Sequence, residues 1–139
     1  MNDDFPITIF HNPACGTSRN TLAMIQAAGY APKVVEYLKA GWTRPQLEAL
    51  VAVTGGKARD LIREKGSPAT ELGLLEPGVS DDRIIEAMVA DPILVNRPIV
   101  VTPKGTRLCR PSELVLDLLD MAPASFVKED GEVVTPKDH

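Results

Sequence analysis

Cysteine and histidine are scarce in these 139 residues, at two each, and the shortage excludes a first set of explanations. Cys15 and Cys109 make no disulfide framework, and a chain of this length buries roughly two thirds of the surface its unfolded form exposes, so it needs none. With only His11 and His139 to join them, a zinc site is poorly supplied and no metal is expected. Reduced thiols in the cytoplasm are the expectation that follows. Basic charge is in deficit too: 15 Lys and Arg stand against 19 Asp and Glu, a net charge of −4, which argues against nucleic acid or an anionic membrane surface as a partner. Any bound anion must be held by local geometry. No apolar run approaches the ~20 residues of a membrane span, and the opening MNDDFPITIF has acidic residues where a secretory signal has basic ones, so neither is expected. The chain shows no repeat, no low-complexity tract and no linker between two cores.

What remains is a pattern of short elements. Ile7 to Phe10 reads as a buried strand, Asn12-Pro13-Ala14-Cys15-Gly16 breaks it, and Leu22, Ile25 and Ala28 then recur at helical spacing up to a stop at Gly29. Lys33 to Tyr37 is the next strand, and a strand-helix-strand unit of this size is normally a right-handed parallel crossover. Thr43 with Gln46 resembles a capping box ahead of Leu47, Leu50 and Val51, which end at Gly55-Gly56. A second helical hairpin is expected next, and Ser80 caps a helix carrying Ile84, Ile85, Met88 and Val89 that Pro92 ends. Ile99 to Val101 and Thr106 to Leu108, joined by Pro103-Lys104-Gly105, read as antiparallel neighbours. Pro111 starts a last helix with Leu114, Val115, Leu118 and Leu119 on its apolar face, and a hairpin around Asp130-Gly131 is expected between Phe126 and Val134. The fold class is therefore α/β: a thioredoxin-like mixed sheet of about four strands flanked by helices, with a helical insertion over about residues 41–95 between the second and third strands. Residues 1–120 are expected to form one domain, with 121–139 as a C-terminal tail packed on it or extending from it.

Chemistry concentrates around Cys15. It follows a strand and lies within a residue or two of a helix N-terminus, where unpaired backbone N–H groups and the helix dipole favour thiolate over thiol. The same N–H groups, with Gly16 letting the backbone approach closely and the hydroxyls of Thr17 and Ser18 beside it, suit a tetrahedral oxyanion. Serine at position 18 reduces the C-x-x-C of a dithiol oxidoreductase to Cys15-Gly16-Thr17-Ser18, so a resolving thiol must come from elsewhere, either a small thiol such as glutathione or Cys109. His11, four residues before Cys15, either stabilises the thiolate as a cation or hydrogen-bonds within the loop. Arg97 precedes Pro98, a candidate cis-proline ahead of an apolar strand, and Arg110 projects from a strand end. Together with Arg63 they offer planar guanidinium forks able to hold an oxyanion's oxygens.

These segments carry a resemblance. Ile7 to Thr21 (ITIFHNPACGTSRNT), Asn96 to Pro103 (NRPIVVTP), Gly105 to Glu113 (GTRLCRPSE), the ELGL at Glu71 to Leu74 and the KEDGE at Lys128 to Glu132 resemble the glutaredoxin-linked arsenate reductases, over nearly the whole chain. The resemblance implies an enzyme that reduces arsenate to arsenite, with Cys15 as nucleophile, Arg63, Arg97 and Arg110 binding and polarising arsenate, His11 near the thiolate and a cis peptide at Pro98. It implies no bound cofactor; glutathione is the reducing co-substrate that displaces the adduct on Cys15, and glutaredoxin is the protein partner that resolves the mixed species. A monothiol oxidoreductase without arsenate activity is the alternative enzyme. Regulators of the Spx type are the alternative of another class, but those often carry C-x-x-C and lack the Cys-Arg-Pro-Ser-Glu found here at Cys109 to Glu113.

Overall fold

The computed structural model describes residues 5–121 and 125–134. Residues 122–124 and 135–139 of the expected tail, His139 among them, lie outside the described residues. The chain divides into two compact units, one made of the residues up to Glu36 together with those from Arg97 onward, the other of Tyr37–Asn96.

In the first unit, β1 (Thr8–His11), α1 (Gly16–Ala27) and β2 (Lys33–Glu36) form the expected crossover, with β1 and β2 parallel and Thr8 opposite Lys33. β3 (Ile99–Thr102) lies antiparallel on the other side of β1, and β4 (Gly105–Leu108) antiparallel to β3, giving the sheet order β2-β1-β3-β4. The four-strand mixed sheet and its thioredoxin-like arrangement match the expectation. Helix α1 ends through glycine: Gly29 sits at φ 101, its N–H reaches the Gln26 carbonyl and the Tyr30 N–H the Ile25 carbonyl, which satisfies carbonyls the last turn leaves open. Its inward face is Ser18, Thr21, Met24 and Ile25, whereas Leu22 and Ala28 of the expected stripe are only partly buried. Two hydroxyls can face inward because each is satisfied, Thr21 on the Thr17 carbonyl at 2.8 Å and Ser18 on His11.

The segment after Pro111 is a 3₁₀ helix over Ser112–Leu118, not an α-helix, and the tighter winding buries Val115, Leu116 and Leu118 while Leu114 is only partly covered. These side chains close a core with Ile7, Ile9, Met24, Ile25, Val100 and Cys109. The tail contributes the expected hairpin, β5 (Phe126–Val127) antiparallel to β6 (Val133–Val134), with Gly131 at φ 93 in its turn.

In the second unit, β2's expected last residue, Tyr37, instead opens the short helix α2 (Tyr37–Ala40), where its buried ring donates from Oη to the Val95 carbonyl at 2.9 Å and packs beside Trp42. α3 (Arg44–Val53) begins with a full capping box: Thr43 accepts from Gln46 N–H, and the Gln46 side chain accepts from Thr43 N–H. α4 (Asp81–Ala90) is capped by Ser80, and Asp81 and Asp82 in its first turn suit the positive end of the dipole. The expected second helical hairpin between them is not there. Ala58–Leu61 makes one 3₁₀ turn, and the chain then runs through turns in which Gly66, Gly73 and Gly78 take positive φ. No helix among the described residues is long and apolar enough to cross a membrane.

Candidate active site

The loop from Asn12 to Cys15 turns the chain from β1 into α1. Asn12 is the residue that shapes it, since its side-chain oxygen accepts from Ala14 N–H at 2.9 Å while its carbonyl accepts from Cys15 N–H at 3.0 Å around Pro13. Cys15 is then the N-cap of α1, in extended backbone at φ −97 and ψ 121, with its thiol half-buried. The sulfur thus lies where the first N–H groups of the helix have no partner of their own.

Two arginines reach that sulfur from the neighbouring strands, at the end of the sheet where α1 begins. Arg97 stands just before β3 and Arg110 just after β4, and the peptides Arg97–Pro98 and Arg110–Pro111 are both cis; only the first was expected. Arg110 Nη1 is 3.6 Å from Cys15 Sγ and donates to the Arg97 carbonyl at 2.9 Å, so one arginine's main chain fixes the other's guanidinium. Arg97 is buried, and its guanidinium also interacts with the sulfur. Burial pushes the Cys15 thiol up, but the Ser18 backbone N–H and the two guanidinium groups outweigh it, and the pKa lies below the ordinary thiol value.

His11 and Ser18 are joined to each other. His11 Nδ1 and Ser18 Oγ are 2.6 Å apart, the same hydroxyl accepts from Asn12 N–H at 3.1 Å, and all three residues are buried. The Ser18 side chain is therefore committed to the loop, and what it presents to Cys15 is its backbone N–H. Burial lowers the His11 pKa; Glu36, opposite it on β2, works against that and Arg19 adds to it, so the neutral ring is favoured at pH 7. Of the two readings of His11, the loop hydrogen bond is the one the geometry displays. Gly16 and Thr17 form the first turn of α1, and a Cβ added at Gly16 would meet Arg19 and Glu129 atoms at 3.7 and 3.8 Å, which is ordinary contact. Arg63 belongs to the second unit, where its Nε donates to the Lys65 carbonyl at 2.8 Å. Cys109 is fully buried and burial pushes its thiol up to about 12, which leaves it inert as a nucleophile.

Two residues near the thiol escaped the sequence reading. Arg19, one turn into α1, donates from Nη1 to the Pro13 carbonyl at 2.8 Å and pairs through Nε and Nη2 with both Glu129 oxygens at 2.8 and 2.9 Å. Arg19 follows Ser18 directly and could have been marked as a first-turn charge; Glu129, 110 residues away, could not.

Sheet order, crossover and an activated cysteine at the start of α1 together define a thiol-bearing protein of thioredoxin-like fold. The chain belongs to the ArsC family, whose model matches residues 10–118. It is 61% identical over 129 residues to arsenate reductase ArsI2 of Synechocystis sp., covering 92% of each chain. The arsenate reductase of Escherichia coli strain K12 is 56% identical over 129 residues, again with 92% of each chain covered. Among solved structures, the arsenate reductase from Vibrio cholerae superposes with a TM-score of 0.78 at 38% identity, over 83% of this chain and 98% of that one.

Proposed function

We propose that this protein is an arsenate reductase that uses Cys15 as its nucleophile and depends on glutathione and glutaredoxin for turnover. The observation that carries the reading is the convergence of two guanidinium groups and a helix N-terminus on one sulfur. A thiolate there attacks arsenic while Arg97 and Arg110 hold the oxygens and take up charge on them, and the N–H groups of the first turn of α1 complete the cradle. The S–As bond forms as one As–O bond breaks, and that oxygen leaves as water after taking up protons. Arsenic is still As(V) at that point. Its two-electron reduction to arsenite requires two thiols to become one disulfide, and the burial of Cys109, which pushes its thiol up to about 12, argues against its being one of them. In this proposal glutathione displaces the Cys15 thiolate from arsenic, and a glutaredoxin thiol then attacks the glutathione sulfur, so that the S–As bond breaks with its electron pair left on arsenic, arsenite departs and a glutathione–glutaredoxin disulfide remains. Ser18 at the usual resolving position supports the same dependence.

Arg63 enters as a third arsenate ligand on its residue type and the family resemblance, and Arg63→Ala tests it directly. Phosphate, with the same tetrahedral shape and charge, should occupy the cradle without turning over, since phosphorus lacks arsenic's reactivity toward sulfur. NADPH oxidation coupled through glutathione reductase to glutathione, glutaredoxin and arsenate is the measurement. Turnover that needs all three components and vanishes in Cys15→Ser is expected. A wild-type protein with reduced Cys15 and no arsenate-dependent oxidation refutes the proposal, and turnover with glutathione substrates other than arsenate would point to the monothiol oxidoreductase.

A further inference from the structure

The turn of the C-terminal hairpin meets both loops of the thiol site. Glu129 pairs with Arg19, whose remaining nitrogen holds the Pro13 carbonyl two residues before Cys15, and Glu129 N–H donates to Asn20 Oδ1 at 3.0 Å. The preceding residue, Lys128, points the other way. Its ammonium lies 2.7 Å from Glu113 Oε1 and 2.7 Å from Glu132 Oε1, with the side chain only 9% exposed. Glu113 is three residues past Arg110, in the first turn of the 3₁₀ helix. The turn itself is closed by Lys128 N–H on the Glu132 carbonyl, Gly131 N–H on the Lys128 carbonyl and Glu132 N–H on Asp130 Oδ1, at 2.8 to 2.9 Å. An exposed ion pair holds little, but a covered ammonium between two carboxylates on a closed turn is a fixed strut.

We propose that Lys128 is a positioning residue for the reaction at Cys15: with Glu129 anchoring the turn beside the Cys15 loop, the Lys128–Glu113 pair tethers the Arg110 loop and so holds the Arg110 guanidinium against the sulfur. The inference rests on the proposed function for its substrate, though the tether can be read without arsenate. Lys128 touches neither the thiol nor the anion, and its effect passes through Glu113 to Arg110.

The test uses two full-length variants that cut the same tether with opposite changes of charge, Lys128→Met and Glu113→Gln. For each, the midpoint pH of iodoacetamide alkylation of Cys15 is measured; Cys109, buried and with its thiol pushed up to about 12, should not label in this range. A field effect alone would move the two midpoints in opposite directions, up when the lysine is lost and down when the glutamate is lost. Loss of the tether withdraws Arg110 from the sulfur in both. We expect both midpoints to rise by about half a pH unit or more, and the arsenate concentration that half-protects Cys15 from alkylation to rise about threefold or more in both. A Glu113→Gln midpoint that stays in place or falls overturns the proposal, and this position, with its side chain 33% exposed, decides it even if Lys128→Met does not fold. Absence of arsenate turnover in the wild-type protein would refute the proposed function and leave the two midpoints to decide the tether.

Discussion

Arg110→Ala is the perturbation that bears most directly on the site, because one nitrogen of that side chain serves both the sulfur and the Arg97 carbonyl. A hydrogen bond to a charged group contributes about 1.5–3 kcal/mol, and solvent reaching the half-buried thiolate brings this toward ~1–1.5 kcal/mol. That corresponds to about one pKa unit, so the alkylation midpoint of Cys15 should rise by roughly one pH unit in the variant. Turnover should suffer more. A donor aimed at developing oxyanion charge is worth about 2.7–4 kcal/mol, and with the thiolate effect kcat/KM for arsenate should fall by at least about 100-fold. Arg110→Lys keeps the charge but not the planar fork, and should recover part of the midpoint and little of the rate. The measurements are the pH profile of iodoacetamide labelling and the coupled NADPH assay on the same preparations, with the melting temperature as a check on folding. A midpoint within experimental error of the wild type, together with kcat/KM within about twofold, would refute the reading of Arg110 as the thiolate's partner and the anion's donor.

Cys109→Ser should retain nearly full turnover, since the thiol is buried and keeps its proton; loss of activity with the fold intact would make Cys109 a working thiol. The same group gives a pH signature. Its folded pKa of about 12 exceeds the unfolded thiol value, so its contribution to stability is complete below about pH 8.5 and declines as pH rises toward 12, and Cys109→Ser should flatten this part of the alkaline stability profile. Ser18→Ala leaves His11 Nδ1 and the Asn12 N–H without their shared partner, at a cost of about 1–3 kcal/mol, and chemical denaturation should register it. A change under about 0.5 kcal/mol would mean that the hydroxyl does not brace the loop. Thr43→Ala removes half of the capping box of α3 and should destabilise by about 1 kcal/mol, or roughly 3 °C in melting temperature, with the midpoint of Cys15 alkylation unchanged.

The elements that sequence defined are those governed by neighbours within one turn of chain. Thr43 and Ser80 cap their helices because a hydroxyl needs only the N–H three residues on, and Gly29 ends α1 because a left-handed residue there needs no side chain. Cys15 could be placed at a helix N-terminus for the same reason, and the pairing of β3 with β4 followed from the short Pro103-Lys104-Gly105 connection between them. The last helix misled because apolar spacing does not separate α from 3₁₀ winding, and the stretch after Leu61 misled because its glycines adopt turns that no periodicity announces.

What required the tertiary structure was everything that depends on long separations in sequence. The thiol is near arginine because β3 lies antiparallel to β1 and β4 beside β3, which brings the residue before one strand and the residue after the other to the end of the sheet where α1 begins. Ser18 faces His11 because the first turn of α1 packs over β1, and so a hydroxyl in line to touch substrate became part of the loop. Glu129 and Lys128 meet the two halves of the site only once the hairpin has docked. Sequence alone determined that Cys15 would sit where backbone N–H groups favour a thiolate; the fold decided which charges complete that environment, because electrostatic partners are chosen by distance in space, whereas caps and turns are chosen by distance along the chain.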